Sequence, residues 1–394
     1  MSFSQALSGL RAAADNLGVV GNNIANAQTV GFKSSGIQFS DVYADSQGGL
    51  GTRVAAIVQN FNEGNLETTN RSLDLAVTGN GFFRFSQNNE VMYSRNGQLT
   101  MTNEGYLINA SGARLTGYSA DAAVGSQPEQ LRIPSGGLQA NPTNEILASF
   151  NMDARSPIID RATVPFNLND PDTYHYANTV TVYDSLGNSS SAQMYFTKVA
   201  DNEWQVRLAR DGELAPETGT VEFDSNGILA ATNGLDDFTF NPGGGADQMN
   251  VAMNVAGTTQ FANEFELNNL QQNGYTSGTL VRVAIEEDGS IVGTYTNEQS
   301  QVLGTVALAS FRNMEGLRAV GDNSWLETAD SGPAIIGLAG EGQFGNIASG
   351  VVEQSNVDLT QELVALIMAQ RNYQANAQSI KTQDEVLQAT VNLR

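Results

Sequence analysis

The run DLTQELVALIMAQRNYQANAQSIKTQDEVLQATVNLR, residues 358–394, holds neither glycine nor proline and reads as one uninterrupted amphipathic helix. Leu359, Leu363, Leu366, Gln370, Tyr373, Ala377, Ile380, Asp384, Leu387 and Val391 follow the alternating four-three spacing of a heptad seam, and all but Gln370 and Asp384 are apolar. Arg371, Gln374, Gln378, Lys381 and Gln388 lie off it. A stripe this narrow suits a long helix pressed against another helix better than one resting on a broad core. At ~1.5 Å per residue the helix extends roughly 55 Å, longer than most helices of a compact domain. Asp358 is placed to cap its start, with Gln361 at the reciprocal capping-box position.

Such a seam needs a partner, and the other end of the chain offers one. Phe3, Leu7, Leu10, Ala14, Leu17, Gly21 and Ile24 repeat the rhythm behind a capping box of Ser2 and Gln5. Gly9, Gly18 and Gly21 each cost this helix ~1 kcal/mol relative to alanine, so it forms only against neighbours. The expected fold is mainly β with a discontinuous α-helical coiled-coil domain made by residues 1–28 and 358–394, everything else being inserted between them. The alternative is that each helix packs only on the body of its own chain.

With 394 residues the chain has material for several domains, each able to bury a core. Its 19 basic and 42 acidic residues give a net charge of −23, which makes nucleic acid and anionic membranes poor partners. The two ends are nearly neutral, so the acid lies in the middle, where solvent suits it. The absence of cysteine excludes a disulfide framework and thiol catalysis. No basic stretch leads into an apolar run at the start, and no apolar stretch reaches the ~20 residues of a membrane span. On that ground alone the expectation is a cytoplasmic protein.

Between the ends the period is that of strands. From Arg71 to Asn144 short β runs alternate with turn pairs such as Asn96-Gly97, Glu104-Gly105 and Ser111-Gly112, which predicts an antiparallel β domain. Residues 145–272 continue in strands, with turns at Leu186-Gly187, Asp211-Gly212 and Asn226-Gly227, but carry 18 acidic and 5 basic residues. They read as a separate, outward-facing acidic β domain. Strands resume after Asn273 and, as residues 273–352, complete the 71–144 domain. Residues 29–70 with 353–357 read as a connecting region, and the Gly-, Ser- and Asn-rich stretch 331–356 as irregular chain.

Chemical motifs are few. Gly340-Glu341-Gly342-Gln343-Phe344-Gly345 has dinucleotide-fingerprint spacing but lacks the helix that would aim amides at pyrophosphate. Gly243-Gly244-Gly245 lacks the lysine and hydroxyl residue of a phosphate loop. Asp236-Asp237 and Glu286-Glu287-Asp288 could be imagined as the paired carboxylates of a glycosidase, but the second sits on a turn and nothing places either in a cleft. His175 is the single histidine, too few for a transition-metal set or a serine-histidine arrangement. The expectation is no catalytic, cofactor-binding or metal residue, with assembly carried by Phe3, Leu7, Leu10, Leu17, Ile24, Leu359, Leu363, Leu366, Tyr373, Ile380, Leu387 and Val391. A β-rich adhesin or a polysaccharide-acting enzyme remains as an alternative class.

The run from Ser8-Gly9-Leu10 through Asn22-Asn23-Ile24-Ala25-Asn26 to Thr29-Val30-Gly31-Phe32-Lys33 resembles the N-terminal signature of the bacterial flagellar rod and hook proteins. Ser355-Asn356-Val357-Asp358-Leu359, Gln370-Arg371-Asn372-Tyr373-Gln374-Ala375-Asn376-Ala377 and Val391-Asn392-Leu393 resemble their C-terminal signature. Gly49-Leu50-Gly51-Thr52-Arg53-Val54, Leu73-Asp74-Leu75-Ala76-Val77 and Gly79-Asn80-Gly81-Phe82-Phe83 are similar to the same family. The resemblance implies a non-catalytic, self-assembling subunit of a helical tube, exported without cleavage through the flagellum's own secretion apparatus to an extracellular position. That overrides the cytoplasmic expectation. It also implies other copies of the chain, rod, hook cap and hook-filament junction proteins and the export apparatus as partners, with neither nucleic acid nor membrane among them. Within the family, the 128-residue insertion at 145–272 favours the hook, a curved universal joint, over the distal rod, a straight drive shaft.

Overall fold

The computed structural model describes residues 3–42, 51–123, 125–134 and 136–392, and divides into two compact units. One comprises residues up to 135 with 282–293 and 300–394, the other 136–281 with 294–299. The second therefore begins earlier and ends later than the 145–272 read from composition. The cause is pairing: Leu138 bridges Gly278 and Asn141 bridges Tyr275, so the strands entering and leaving the acidic stretch hold each other and go with it.

In the first unit, helix α1 spans Phe3–Ala25 and α2 spans Leu359–Asn392, and the two pack against each other. The Ser2 capping position lies outside the described residues, as do Gly49 and Leu50 of the second motif. The stretch expected to be mere connection is not irregular: β1 (Ser35–Val42) and β2 (Gly51–Gln59) form an antiparallel ribbon, with Ser35 opposite Gln59 and a bulge between Gln38 and Phe39. Residues 331–356 likewise contain three strands, Ile335–Leu338, Asn346–Ser349 and Val351–Glu353. These are too short to show a period-2 pattern, and they exist because distant strands complete them. Asn346–Ser349 pairs with β4 (Asp74–Thr78) and Val351–Glu353 with β3 (Leu66–Thr68).

The main sheet of this unit is built on β5 (Phe82–Gln87) and β6 (Glu90–Ser94). Arg114–Ser119 and the long strand Ser300–Ser310 join on one side, and Ser324–Leu326 joins β6 on the other. Ser300–Ser310 and Ser324–Leu326 thus pair with strands of the earlier β segment. Phe82, Tyr93, Phe311 and Trp325 pack edge-on in its core, with Phe61 against Phe82 and Trp325. Gly97 is required where it stands, since a Cβ there would lie 2.1 Å from the Leu75 carbonyl oxygen of the strand it crosses. Burial, with the Glu327 carboxylate beside it, pushes the Tyr93 hydroxyl up to about 12. Because the unfolded chain would lose that proton at ~10, stability of this unit is expected to be flat below that pH. It should then fall by about 2 to 3 kcal/mol as pH rises toward 12. Tyr93→Phe should remove that share of the alkaline slope in pH-dependent unfolding monitored by circular dichroism.

The second unit stacks two sheets over a core that includes Phe150, Phe196, Trp204 and Phe238. One sheet runs antiparallel in chain order through Tyr176–Tyr183, Ser189–Ala200, Glu203–Arg210, Gly219–Phe223 and Leu229–Asn233. Alternation fixes its faces: Met194, Phe196, Val206 and Leu208 turn to the core, while Tyr195 pairs with Arg207 on the other face. The second sheet departs from the antiparallel expectation. Glu145–Asp153 pairs in parallel with Met249–Asn254 and Thr259–Phe261. The intervening chain, which forms the first sheet, is the long crossover that a parallel pairing needs.

Candidate assembly interface

Asp358 caps α2, its carboxylate accepting from the amides of Thr360 at 2.8 Å and Gln361 at 3.2 Å. Against α1 the helix presents small side chains. Ala369 is buried and Ala365, Leu366, Asn376, Ala377 and Ile380 are half-buried. The buried positions of α1 are Ala6, Ala12, Ala13, Val20 and Asn23, so its inner stripe runs one residue ahead of the expected Leu7, Leu10, Leu17 and Ile24, which are half-buried, while Ala14 is exposed. Gly9 explains the close approach, since a Cβ there would stand 2.8 Å from Asn376 Oδ1. The glycine that weakens α1 alone thus fits it to α2. On its other side Ser8 Oγ accepts from the Thr52 amide of β2 at 3.3 Å.

Apart from Leu366 and Ile380, the large apolar side chains described on α2 point away from this contact. Leu359, Leu363, Tyr373 and Leu387 of the expected seam are exposed, and so are Val364, Ile367, Met368 and Val386. Leu363, Val364, Ile367 and Met368 are 50–61% accessible within little more than one turn, a contiguous apolar ridge on a protein with an otherwise acidic surface. The side chains of Phe3 and Val391 lie outside the described residues.

Below the helices a polar joint fixes the chain where it leaves α1 and enters α2. Asn23 donates from Nδ2 to the Ser35 carbonyl and to Glu362 Oε1, both at 2.9 Å, and its Oδ1 accepts from the Ser35 amide at 3.0 Å. Asn356 mirrors it: Oδ1 accepts from the Ser34 amide at 2.8 Å, and Nδ2 donates to the carbonyls of Asn60 and Asn62. One side-chain amide thus holds α1 to α2, and the other holds the entry to α2 against the start of β1 and the end of the ribbon.

Beneath them lies a buried ionic triad. Lys33 Nζ stands 2.6 Å from Glu353 Oε1, and Arg95 Nη1 stands 3.6 Å from Glu353 Oε2, with all three side chains no more than 2% accessible. Lys33 also donates to the Asn62 carbonyl at 2.7 Å, Arg95 to the carbonyls of Val77 and Gly79, and the Gly64 amide to Glu353 Oε1 at 2.9 Å. Burial pulls Lys33 below the usual lysine range, partly offset by Glu353, and Arg95 is lowered by burial in the same way. Gly31 and Gly64 permit this convergence: a Cβ on Gly31, at φ +71°, would meet the Asn96 backbone at 2.7 Å, and one on Gly64 would meet the Gln354 carbonyl oxygen at 1.9 Å. Asn23, Lys33 and Asn356 fall in the stretches that resemble the family signatures, but the sequence assigns no role to them, and Arg95 and Glu353 carry no signal there at all. The available signal was the scarcity of lysine, three in the whole chain, with one of them in the apolar run Val30-Gly31-Phe32-Lys33.

The remaining motifs fall in ordinary places. Gly340 and Gly342 take positive φ in a turn between two strands, and Asp236 and Asp237 are exposed. Glu286-Glu287-Asp288 sits in a turn closed by the Gly289 amide on the Glu286 carbonyl. His175 accepts at Nδ1 from the Lys198 amide at 3.2 Å and packs edge-on to Trp204. Among the described residues no group of three or more His, Asp or Glu is arranged to hold a metal.

Four stretches match known families: residues 4–33 the Flagella basal body rod protein family, 76–154 the Flagellar hook protein FlgE/F/G D1 domain, 151–275 the Flagellar basal body protein FlaE D2 domain, and 348–393 the Flagellar basal body rod FlgEFG protein C-terminal family. The chain is 45% identical over 408 residues to the flagellar hook protein FlgE of Salmonella typhimurium, with 100% of each covered. It is 43% identical over 416 residues to that of Escherichia coli, again with 100% of each covered, and 33% identical over 442 residues to that of Borreliella burgdorferi, covering 100% of this chain and 99% of the other. The crystal structure of Helicobacter pylori flagellar hook protein FlgE2 shares the fold at a TM-score of 0.57 and 13% identity, covering 73% of this chain and 100% of that one.

Proposed function

The chain belongs to the flagellar hook protein family and is a structural subunit of the flagellar hook, and from that premise we propose that its terminal helices assemble the core of a curved helical tube. The observation that carries the proposal is the exposed ridge of α2: Leu363, Val364, Ile367 and Met368 lie on the face turned away from α1, and none of the described residues covers them. Copies packing along those ridges form a coiled-coil-like inner wall from residues 1–28 and 358–394. The β part of the first unit forms the middle shell of the tube, and the acidic unit of 136–281 with 294–299 its outside.

The tube acts as a universal joint passing motor torque from rod to filament. Each copy then keeps its contacts while the distance to its neighbours lengthens and shortens once per rotation, which suits helices sliding on narrow ridges and hydrated, charged outer contacts. The rod, hook cap, hook-filament junction proteins and export apparatus are the partners this role requires, and the subunit reaches its extracellular place through that apparatus without a cleaved signal.

The test is assembly itself. Full-length protein driven together by ammonium sulfate, which strengthens apolar association, should give curved tubes in negative-stain electron microscopy, whereas the chain trimmed to residues 71–352 should give none. Straight tubes would point to a rod, and tubes from the trimmed chain would show that the helices are not the core.

A further inference from the structure

With no cysteine in the chain, its sulfur is all methionine, and every methionine but Met1 lies among the described residues. Met152, Met194, Met249 and Met253 are sealed in the core of the second unit, at 3% accessibility or less. Met92 and Met314 are half-buried in the first. Two stand open: Met101 at 47%, on the short strand Thr100–Met101, and Met368 at 61%, on the ridge of α2. Met368 is therefore the most exposed of the described methionines, and the only one on the surface that the proposed contact between copies uses. A helical side chain lies back over the turn before it, which sets the Met368 thioether toward Val364 and Ala365, beside Leu363 and Ile367. None of those four side chains can donate a hydrogen bond.

A thioether suits such a ridge, because it is flexible, polarizable and apolar and fills an irregular contact well. Its sulfoxide does not. Oxidation makes the side chain polar and chiral, and an S–O oxygen buried among aliphatic groups without a donor is costly. We propose that Met368 is an oxidation site that gates assembly: a hydroperoxide converts it to the sulfoxide in the free subunit, and the oxidised ridge no longer docks on another copy. In the reaction the sulfur lone pair takes the terminal peroxide oxygen, the S–O bond forms as the O–O bond breaks, the sulfur is oxidised by two electrons, and the peroxide is reduced to water or an alcohol. Reduction by a thiol-driven methionine sulfoxide reductase reverses it, the oxygen leaving as water. Packing of α1 on α2 is untouched, since Met368 lies on the face turned away from it. Once the ridge is covered, peroxide no longer reaches the sulfur, so the gate acts on subunits and not on finished tubes. The inference rests on the tube-forming role proposed above.

The test treats full-length protein with dilute hydrogen peroxide until only a fraction of the chains is oxidised, then drives the mixture into tubes with ammonium sulfate. Tubes are pelleted, and the sulfoxide at each methionine is read by peptide mass in pellet and supernatant. Met368 sulfoxide should be depleted from the tubes by about tenfold or more, with the circular dichroism of the treated free protein unchanged. Methionine sulfoxide reductases for both epimers should return the excluded chains to the pellet. The depletion should persist in Met101→Leu; its loss there would assign the effect to Met101 and overturn the proposal. Equal Met368 sulfoxide in pellet and supernatant would overturn it while leaving the helical core standing, and so would a depletion accompanied by lost helical signal, which marks damage to the fold. Peroxide added to finished tubes tests the reading beneath: Met368 should be protected there relative to the free subunit. Oxidation at the same rate in both would put the ridge in solvent and remove the contact together with the gate. Absence of tubes from untreated protein would remove the tube-forming role, and this site with it.

Discussion

Glu353→Gln should open the joint beneath the terminal helices while leaving the β sheets folded. The substitution keeps the shape and removes the one negative charge between Lys33 and Arg95, which are both buried. An intact buried ion pair is often worth little net, because desolvation cancels the attraction. Removing one partner is different, since the other charges stay buried without compensation, at a cost of about 3 to 5 kcal/mol. Here two cations would lose their paired carboxylate, with only the more distant Glu63 charge left acting on them. Unfolding of a multi-unit chain is not two-state, so the loss is best read locally. The Gly64 amide, which donates to Glu353 Oε1, and the Gly31 amide, which donates to the Glu353 carbonyl, are the reporters. Their hydrogen exchange should accelerate by about a hundredfold or more. Lys33→Met should cost less, because Glu353 keeps Arg95, and the double variant should cost less than the sum of the two. Unchanged exchange at both glycines would mean that the triad does not hold the joint closed.

The sequence showed the ends of this chain better than it showed how they meet. Asp358 as a helix cap and the long glycine-free α2 follow from local chemistry, in which a carboxylate satisfies open amides and no residue breaks the ladder. The strand turns were legible for the same reason: Gly187, Gly212 and Gly227 take the positive φ their turns demand. What stayed hidden depends on residues far apart in sequence. Val351–Glu353 becomes a strand only because Leu66–Thr68 lies beside it. Lys33 and Glu353 are 320 residues apart, and although the apolar run around Lys33 hints at burial, nothing local names its partner. Within the single chain the buried stripe of α1 lies one position before the leucines that the heptad spacing marks. Ala6, Ala13, Val20 and Asn23 are buried, and Gly9 stands against Asn376 of α2, since a close helix crossing is limited by backbone approach.

On α2, orientation separates two residues that the heptad pattern treats alike, and their substitution has opposite readouts. Leu363 is half exposed on the ridge with Ile367, whereas Leu366 faces α1 from the neighbouring stripe. Leu363→Asp with Ile367→Asp should change the isolated subunit little, since surface substitutions away from packed features stay within about 0.5 kcal/mol. In a tube the same two carboxylates would be buried against a neighbour at every repeat, at several kcal/mol per contact without a compensating donor. The critical concentration for assembly should therefore rise by more than about a hundredfold, in practice abolishing tubes while circular dichroism and melting of the β units match wild type. Leu366→Asp should act within the subunit as well, loosening α1 from α2 and raising protease sensitivity near Gly9 even in dilute protein. Tubes from the Leu363/Ile367 double variant at the wild-type concentration would show that the ridge faces solvent in the assembled hook, and the contact between copies would then have to be sought on α1, where Gly18 and Gly21 have open space above them.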